Sequence, residues 1–234
     1  MERQRLVVFS GAGISAESGL RTFRDSDGLW DEHRIEDVAT PEAWHRDPAN
    51  VLRFYDQRRG QVIAAKPNAA HIAIAQLQKQ FEVAVVTQNI DDLHERAGSE
   101  HVVHLHGEIL MARSTKDPDL VVRLEKATIE LGDRCALGSQ LRPHIVWFGE
   151  AVPMMEPAID LIARADGLLV VGTSLNVYPA AGLIHYAPRN CPITLVDPAD
   201  VALTRTGMKH IKAKASAGVP LLASEWSRKG SISA

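Results

Sequence analysis

Short runs that are apolar throughout or but for one threonine return along this chain, at residues 6–9, 83–86, 145–148, 168–171 and 193–196, with a weaker one at 210–213. A strand that faces water on one side alternates apolar and polar residues. A run with no such alternation suits a parallel strand covered by helices on both faces. Helix-forming stretches at 68–80, 157–165 and 180–186 lie between several of these runs, so the chain reads as an α/β protein built on an open parallel sheet. Two segments interrupt that rhythm. Residues 25–65 hold a Thr40-Pro41 helix start and an apolar helix around 51–63, and residues 107–143 are charged and helix-prone, especially over 119–131. Both are long for plain connections. They are expected to pack together as a smaller, mostly helical second domain on a larger one made from 1–24, 66–106 and 144–234, with a ligand in the cleft between them.

The 234 residues, 45% of them hydrophobic, suffice for a sizeable core without covalent staples. Cys135 and Cys191, two cysteines with no CxxC spacing, argue against a disulfide framework and against a four-cysteine metal site. A net charge of −3 with both signs interspersed does not describe a nucleic-acid surface, and no direct nucleic-acid partner is expected. The first residues run from charges straight into a short apolar segment and a glycine turn, with no signal-peptide core. The uncharged stretch 167–184 is broken by Gly, Thr, Ser, Asn and Pro, so no membrane span is expected and the chain reads as cytoplasmic.

Four polar segments follow apolar strands. Gly11-Ala12-Gly13-Ile14-Ser15-Ala16 fits the loose dinucleotide pattern, in which small residues let the backbone approach a pyrophosphate at a helix start. Such a turn can also serve local geometry alone. No acidic ribose-binding residue ends a second strand about 20 residues on, as a dehydrogenase would have. The loop Arg21-Thr22-Phe23-Arg24-Asp25 could instead close over a dinucleotide, which favours chemistry at its glycosidic bond over hydride transfer. Thr87-Gln88-Asn89-Ile90-Asp91-Asp92-Leu93-His94 crowds the C-terminal end of a strand with polar groups; helix capping would account for Asn89 or Asp91 but not for the run. Val103-His104-Leu105-His106-Gly107 puts two imidazoles on one side of a short extended segment, as structural histidines or as a base near neutral pH, with no third ligand at metal spacing. Gly172-Thr173-Ser174-Leu175-Asn176 suits phosphate or ribose contacts. Val146-Trp147-Phe148-Gly149-Glu150 and Asn176-Val177-Tyr178-Pro179 could be two backbone edges that clamp an extended peptide.

Taken together, GAGISAESGLRTFR, TQNIDDLH, HLHG, VWFGE and GTSLNVYPA, in this order, resemble the sirtuin (Sir2) family over nearly the whole chain. That resemblance implies a Rossmann-like domain and a smaller one, with NAD and an acylated lysine of a protein entering the cleft from opposite sides. It implies NAD contacts from Gly11, Ala12, Gly13, Ser15, Glu17, Phe23 and Arg24. Around the nicotinamide ribose and carboxamide it implies Gln88, Asn89, Ile90 and Asp91, and at the phosphate and adenosine end Gly172, Thr173, Ser174, Asp197 and Ala215. His106 would be the general base, with Asn89 and Asp91 orienting and stabilising, and the products would be free lysine, nicotinamide and O-acyl-ADP-ribose. The peptide would meet Val146, Phe148, Gly149, Asn176, Val177 and Tyr178.

Tyr55 and Arg58 stand three apart in the expected helix and so share a face, which could simply be solvated. The pair matches the family's YxxR signature for acyl groups ending in a carboxylate, and Ala39 matches its small residue beside a longer chain; the resemblance therefore implies succinyl- and malonyl-lysine beside acetyl-lysine. One departure stands out. Where the family carries four zinc cysteines, this chain has Ser114 at the first position, Cys135 in the second pair and Gly138 opposite it, so zinc is expected to be absent. Two other readings remain open: an enzyme that mainly hydrolyses or transfers ADP-ribose, and a non-catalytic binder of acylated peptides.

Overall fold

The computed structural model describes residues 3–21, 29–30, 33–201, 205 and 207–232. Phe23 and Arg24, with the rest of the expected closing loop at 22–25, lie outside them. The strands are β1 (Arg5–Ser10), β2 (Leu29–Trp30), β3 (His33–Arg34), β4 (Glu82–Thr87), β5 (Val102–His104), β6 (Gly107–Ser114), β7 (Val121–Arg123), β8 (Leu141–Ile145), β9 (Gly167–Val171), β10 (Ile193–Val196) and β11 (Lys209–Ile211). The α-helices are α1 (Ile35–Val38), α2 (Pro41–Arg46), α3 (Pro48–Ala64), α4 (Ala69–Leu77), α5 (Leu93–Arg96), α6 (Met155–Ala163) and α7 (Ala215–Lys229).

Six strands form one parallel sheet in the order β11-β10-β9-β1-β4-β5. The chain winds outward from β1 through β4 to β5, then returns to the other side of β1 and winds through β9 and β10 to β11. This is Rossmann-like topology, and its reversal falls between β1 and β9, where a crevice opens beyond the strand ends. The apolar runs have the cause the sequence suggested. Val7 and Phe9 join Val170, Ile162, Leu183 and Ile184 on one face, while Leu6 and Val8 join Ile74, Leu77, Val219, Leu222 and Trp226 on the other. Each fully buried Val, Leu or Ile of this kind is worth about 1.5–3 kcal/mol of transfer free energy.

Helix starts follow side-chain caps. Thr40 accepts from the Ala43 amide with Pro41 behind it, Asp47 accepts from Asn50, and Asn68 and His71 form a capping box at the start of α4. Helices α2 and α3 bear out the helix start at Thr40-Pro41 and the helix around 51–63. Residues 107–143 do not follow their helical reading. The expected helix over 119–131 is replaced by β7, which pairs antiparallel with β6 in a three-stranded sheet ordered β7-β6-β8. The backbone there finds its partners in neighbouring elements: the Leu124 amide donates to Leu110 O and the Ile129 amide to the Asp56 carboxylate. Tertiary partners override helix propensity. The buried Arg59 guanidinium fastens this sheet to α3, donating to Ile109 O (2.7 Å), Ala127 O (2.9 Å) and Asp56 (2.5 Å).

Three further expectations need correction. The run at 145–148 is not a strand of the parallel sheet: β8 ends at Ile145, and residues 148–149 turn on Gly149. The glycine turn at residue 11 does not open an α-helix but two 3₁₀ turns, Ala12–Ile14 and Ala16–Ser18, closed by Gly19. By sequence alone residues 226–234 read as a frayed tail, but 226–229 are not one. They complete α7, whose Trp226 is 1% exposed and whose end is closed by Gly230 donating to Trp226 O.

Candidate active site

A cavity of about 690 Å³ opens at the topological reversal and runs from the glycine turn to α3. Its floor is two strand-end turns packed backbone to backbone. The Gly11 amide donates to Val171 O (3.0 Å) and the Gly13 amide to Gly172 O (2.8 Å). A Cβ on Gly13 would sit 2.8 Å from Gly172 Cα and one on Gly11 2.8 Å from Thr173 Cβ, while Gly172 holds φ +63°. The glycines are thus required first for the approach of the two turns, which leaves Ala12, Ser15, Thr173 and Ser174 on the cavity wall.

Above this floor lies the turn after β4. Gln88 donates through Nε2 to Thr173 (3.1 Å), linking the two sides. Asn89 donates through Nδ2 to Ser15 Oγ (3.2 Å), and Ser15 donates to Asp91 Oδ2 (3.0 Å). The other carboxylate oxygen of Asp91 accepts from the Leu93 amide, so the capping reading explains half of that side chain and the cavity network the rest. Burial raises the Asp91 pKa, opposed by the Leu93 and Ser15 hydrogen bonds and by the charge of His104.

The two histidines of the HLHG segment separate. His106 lines the cavity and donates from Nδ1 to Gln88 O (3.0 Å); since a carbonyl only accepts, the proton is on Nδ1 and the basic lone pair on Nε2. Burial lowers its pKa, with the Gln88 bond opposing, so the ring stays neutral somewhat below the usual histidine range. His104 is absent from the wall. It lies behind the turn between Asn89 O and Glu95.

At the far end Ala39, Tyr55 and Arg58 line the same cavity. Tyr55 is fully buried and its hydroxyl accepts from Trp147 Nε1 (3.1 Å); burial pushes its pKa up. Arg58, 7% exposed, donates to Arg21 O (2.8 Å) and Gln61 (3.2 Å). Glu150 anchors this end, since its carboxylate takes Arg113, Arg142 and the Trp147 amide, while the Arg142 guanidinium lies over the Trp147 ring. Burial works against the Glu150 carboxylate, yet Arg142, the Trp147 amide and Arg113 together lower its pKa.

Of the described residues assigned from the sequence, Asn176 is the one missing from the wall; Glu17, Ile90, Asp197, Ala215, Val146, Phe148, Gly149, Val177 and Tyr178 are all on it. Glu17 takes the Ser216 amide and hydroxyl, which ties the glycine turn to the start of α7. The expected backbone clamp is narrower than drawn, because the Val146 amide already donates to His106 O and the Phe148 amide to Ala39 O. Sequence reasoning missed Trp147 as a cavity residue and Lys214, which lies beside Ala215 and joins Arg21 and Arg58 as a cation of the wall. Trp147 stood inside a segment already singled out.

Where the resemblance implies zinc cysteines, Ser114 and Cys135 lie together with Ser139. The Ser139 hydroxyl lies 2.7 Å from Ser114 Oγ and 3.0 Å from Cys135 Sγ. One thiol and two hydroxyls bonded to one another do not fit a tetrahedral thiolate site, and among the described residues no group of three His, Cys, Asp or Glu could hold a metal. The hydroxyl bonds from Ser114 and Ser139 draw the Cys135 pKa down to about 7.

The doubly wound sheet with its glycine turns at the reversal, and a buried polar turn and neutral imidazole facing them, define a dinucleotide-using α/β enzyme site. The model of the Sir2 family matches residues 11–179, and the chain belongs to that family. It is 51% identical over 222 residues to an NAD-dependent protein deacylase of Bacteroides thetaiotaomicron, covering 92% of this chain and 95% of that protein. Among solved structures, a Sir2 homologue–NAD complex superposes with a TM-score of 0.87 at 39% identity, over 98% of this chain and 92% of that one. A Sir2–p53 peptide–NAD⁺ complex does so with a TM-score of 0.77 at 30% identity, over 99% and 95%.

Proposed function

We propose that this chain is an NAD-dependent protein-lysine deacylase that yields nicotinamide and O-acyl-ADP-ribose, and that it favours acyl groups ending in a carboxylate. The observation behind the reading is one cavity that runs from the glycine floor past His106 to Tyr55 and Arg58. The glycine floor, with Ser15, Thr173 and Ser174, suits the diphosphate and riboses of NAD. When bound there, NAD would supply an ADP-ribosyl electrophile with nicotinamide as its leaving group. Asn89, oriented by Ser15, and Asp91 would hold the ribose and carboxamide next to it. His106, neutral and bonded through Nδ1 to Gln88 O, would take a proton at Nε2. Val177, Tyr178 and Gly149 would flank the acyl-lysine peptide, in keeping with the peptide in the Sir2–p53 complex.

Arg58 carries the selectivity part of the proposal. A guanidinium held on a mostly buried wall can meet a carboxylate through two N–H groups, and the Tyr55 hydroxyl stands one helical turn away. We further propose that the enzyme is cytoplasmic and that its small domain works without zinc, the Ser114–Ser139–Cys135 bonds, Arg59 and the Leu52, Ala112 and Ile129 cluster holding it instead. The test is kcat/KM for matched succinyl- and acetyl-lysine peptides by mass spectrometry, wild type beside R58M. Removing a charge-assisted pair costs about 1.5–3 kcal/mol, so succinyl turnover should fall roughly 10- to 100-fold with acetyl turnover nearly kept. Equal loss on both peptides, or none, would refute the carboxylate assignment.

A further inference from the structure

The turn that presents Gln88, Asn89 and Asp91 is fastened from behind by imidazoles. His106 holds Gln88 O, and His94 meets Ser10 Oγ (3.0 Å), whose hydroxyl donates to Thr87 Oγ1, itself the acceptor of the Asn89 amide. The third, His104, has a different environment. Its Nδ1 lies 2.9 Å from Asn89 O and its Nε2 2.7 Å from Glu95 Oε1. A carbonyl and a carboxylate both only accept, so both ring nitrogens donate and the ring is an imidazolium. Its side chain is 8% exposed and lies outside the cavity wall.

The consequence for Asn89 is geometric. Its amide is held by Thr87, its carbonyl by His104 and its Nδ2 by Ser15, so backbone and side chain are fixed together. The consequence for Asp91 is electrostatic. Burial favours its neutral acid, and the positive charge of His104 opposes that. We propose that His104, as an imidazolium braced by Glu95, is a positioning residue of the reaction, setting the Asn89 carbonyl and favouring the charged form of Asp91 without touching substrate. This rests on reading Asn89 and Asp91 as contacts of the nicotinamide ribose.

The charged and titratable groups that face His104 are Glu95 on α5, Glu108 on β6, His144 on β8, Asp91 on the turn, and His94. Burial disfavours the charged ring, but the bond and charge of Glu95, the Asn89 carbonyl and Glu108 outweigh it and raise its pKa. The imidazolium therefore persists above the ordinary histidine range and is lost as pH rises through the raised value. That loss should appear as an alkaline limb in kcat/KM for NAD, since an acyl-lysine amide does not titrate there.

The experiment measures kcat/KM for NAD against pH, with an acetyl-lysine peptide, for the wild type, E95Q, H104N and H104L, with melting temperatures alongside. E95Q keeps an acceptor for Nε2 and removes the charge, so the alkaline limb should move to lower pH while the fold stands. H104N keeps a donor near Asn89 O but carries no charge and cannot titrate, so at neutral pH it should run at the lowered rate the wild type reaches only above its alkaline limb, with no limb of its own. H104L should lose roughly tenfold or more, the size of one charge-assisted hydrogen bond. An E95Q limb that does not move, or an H104L profile within twofold of the wild type, overturns the proposal. Asn89→Ala separates the two possible failures: if it turns over like the wild type, the reading of the turn is wrong; if it is inert while the His104 and Glu95 variants are unaffected, only the positioning role is wrong.

Discussion

Replacing Gly172 by alanine should damage the cavity floor more than any other single methyl added to the chain. A non-glycine residue at φ +63° costs about 1–2 kcal/mol from the contact of Cβ with the neighbouring carbonyl. The new Cβ would also fall inside contact distance of the Ile14 amide nitrogen, 2.6 Å from the Gly13 carbonyl carbon and 2.9 Å from its Cα. These are backbone atoms with no rotamer to yield, and overpacking of that kind adds about 1–3 kcal/mol. The sum, about 2–5 kcal/mol, is a large share of the 5–15 kcal/mol typical of a whole domain. To relieve the clash the two turns must part, which breaks the bond from Gly13 N to Gly172 O and opens the proposed diphosphate site. Urea unfolding reads the first effect and NAD titration by calorimetry the second. Gly60→Ala is the control: it lies inside α3 with nothing within 4 Å of the added Cβ, and should stabilise by about 0.5–1 kcal/mol. A G172A protein that unfolds at the wild-type urea concentration and binds NAD as tightly would refute the reasoning about the paired turns.

Three more outcomes can be checked. His106→Ala should abolish turnover while leaving the melting temperature nearly unchanged, and the wild-type rate should fall on acidification only as pH drops through the lowered His106 pKa, below the usual histidine range; a pH–rate profile on the acid side reads this, and a limb above that range would contradict it. Chelation with EDTA should change neither turnover nor melting temperature, and elemental analysis should find no stoichiometric zinc; loss of either property on chelation would contradict the hydroxyl and arginine bracing. Trp226→Ala should destabilise by about 3–5 kcal/mol in urea unfolding, as for other buried tryptophans, whereas a tail residue would cost almost nothing.

The parallel sheet was legible because burial on both faces leaves a mark that needs no partner to interpret: the runs at 6–9, 83–86, 168–171 and 193–196 each became strands. The residues gathered in the cavity were legible for a related reason, since strand ends carry the site and its polar segments follow those runs directly. Where pairing partners decide the backbone, the sequence misled. Residues 119–131 have helical propensity, but Leu110, Asp56 and β6 take their amides. Helix α7 was missed behind Gly218 and Pro220, although Val219, Leu222, Ala223 and Trp226 keep helical spacing and all are buried. The division of labour between His104 and His106 has no local signal at all. It is set by Glu95, nine residues upstream of His104, which faces one ring and not the other.

Acyl transfer to the ADP-ribosyl group of NAD is proposed to occur in this cavity. The most direct measurement incubates the protein with NAD and an acyl-lysine peptide and counts nicotinamide, deacylated peptide and O-acyl-ADP-ribose by mass spectrometry. The three should form in equal amounts, and none from H106A. Free ADP-ribose formed at the same rate without peptide, or binding of both partners with no product, would contradict it.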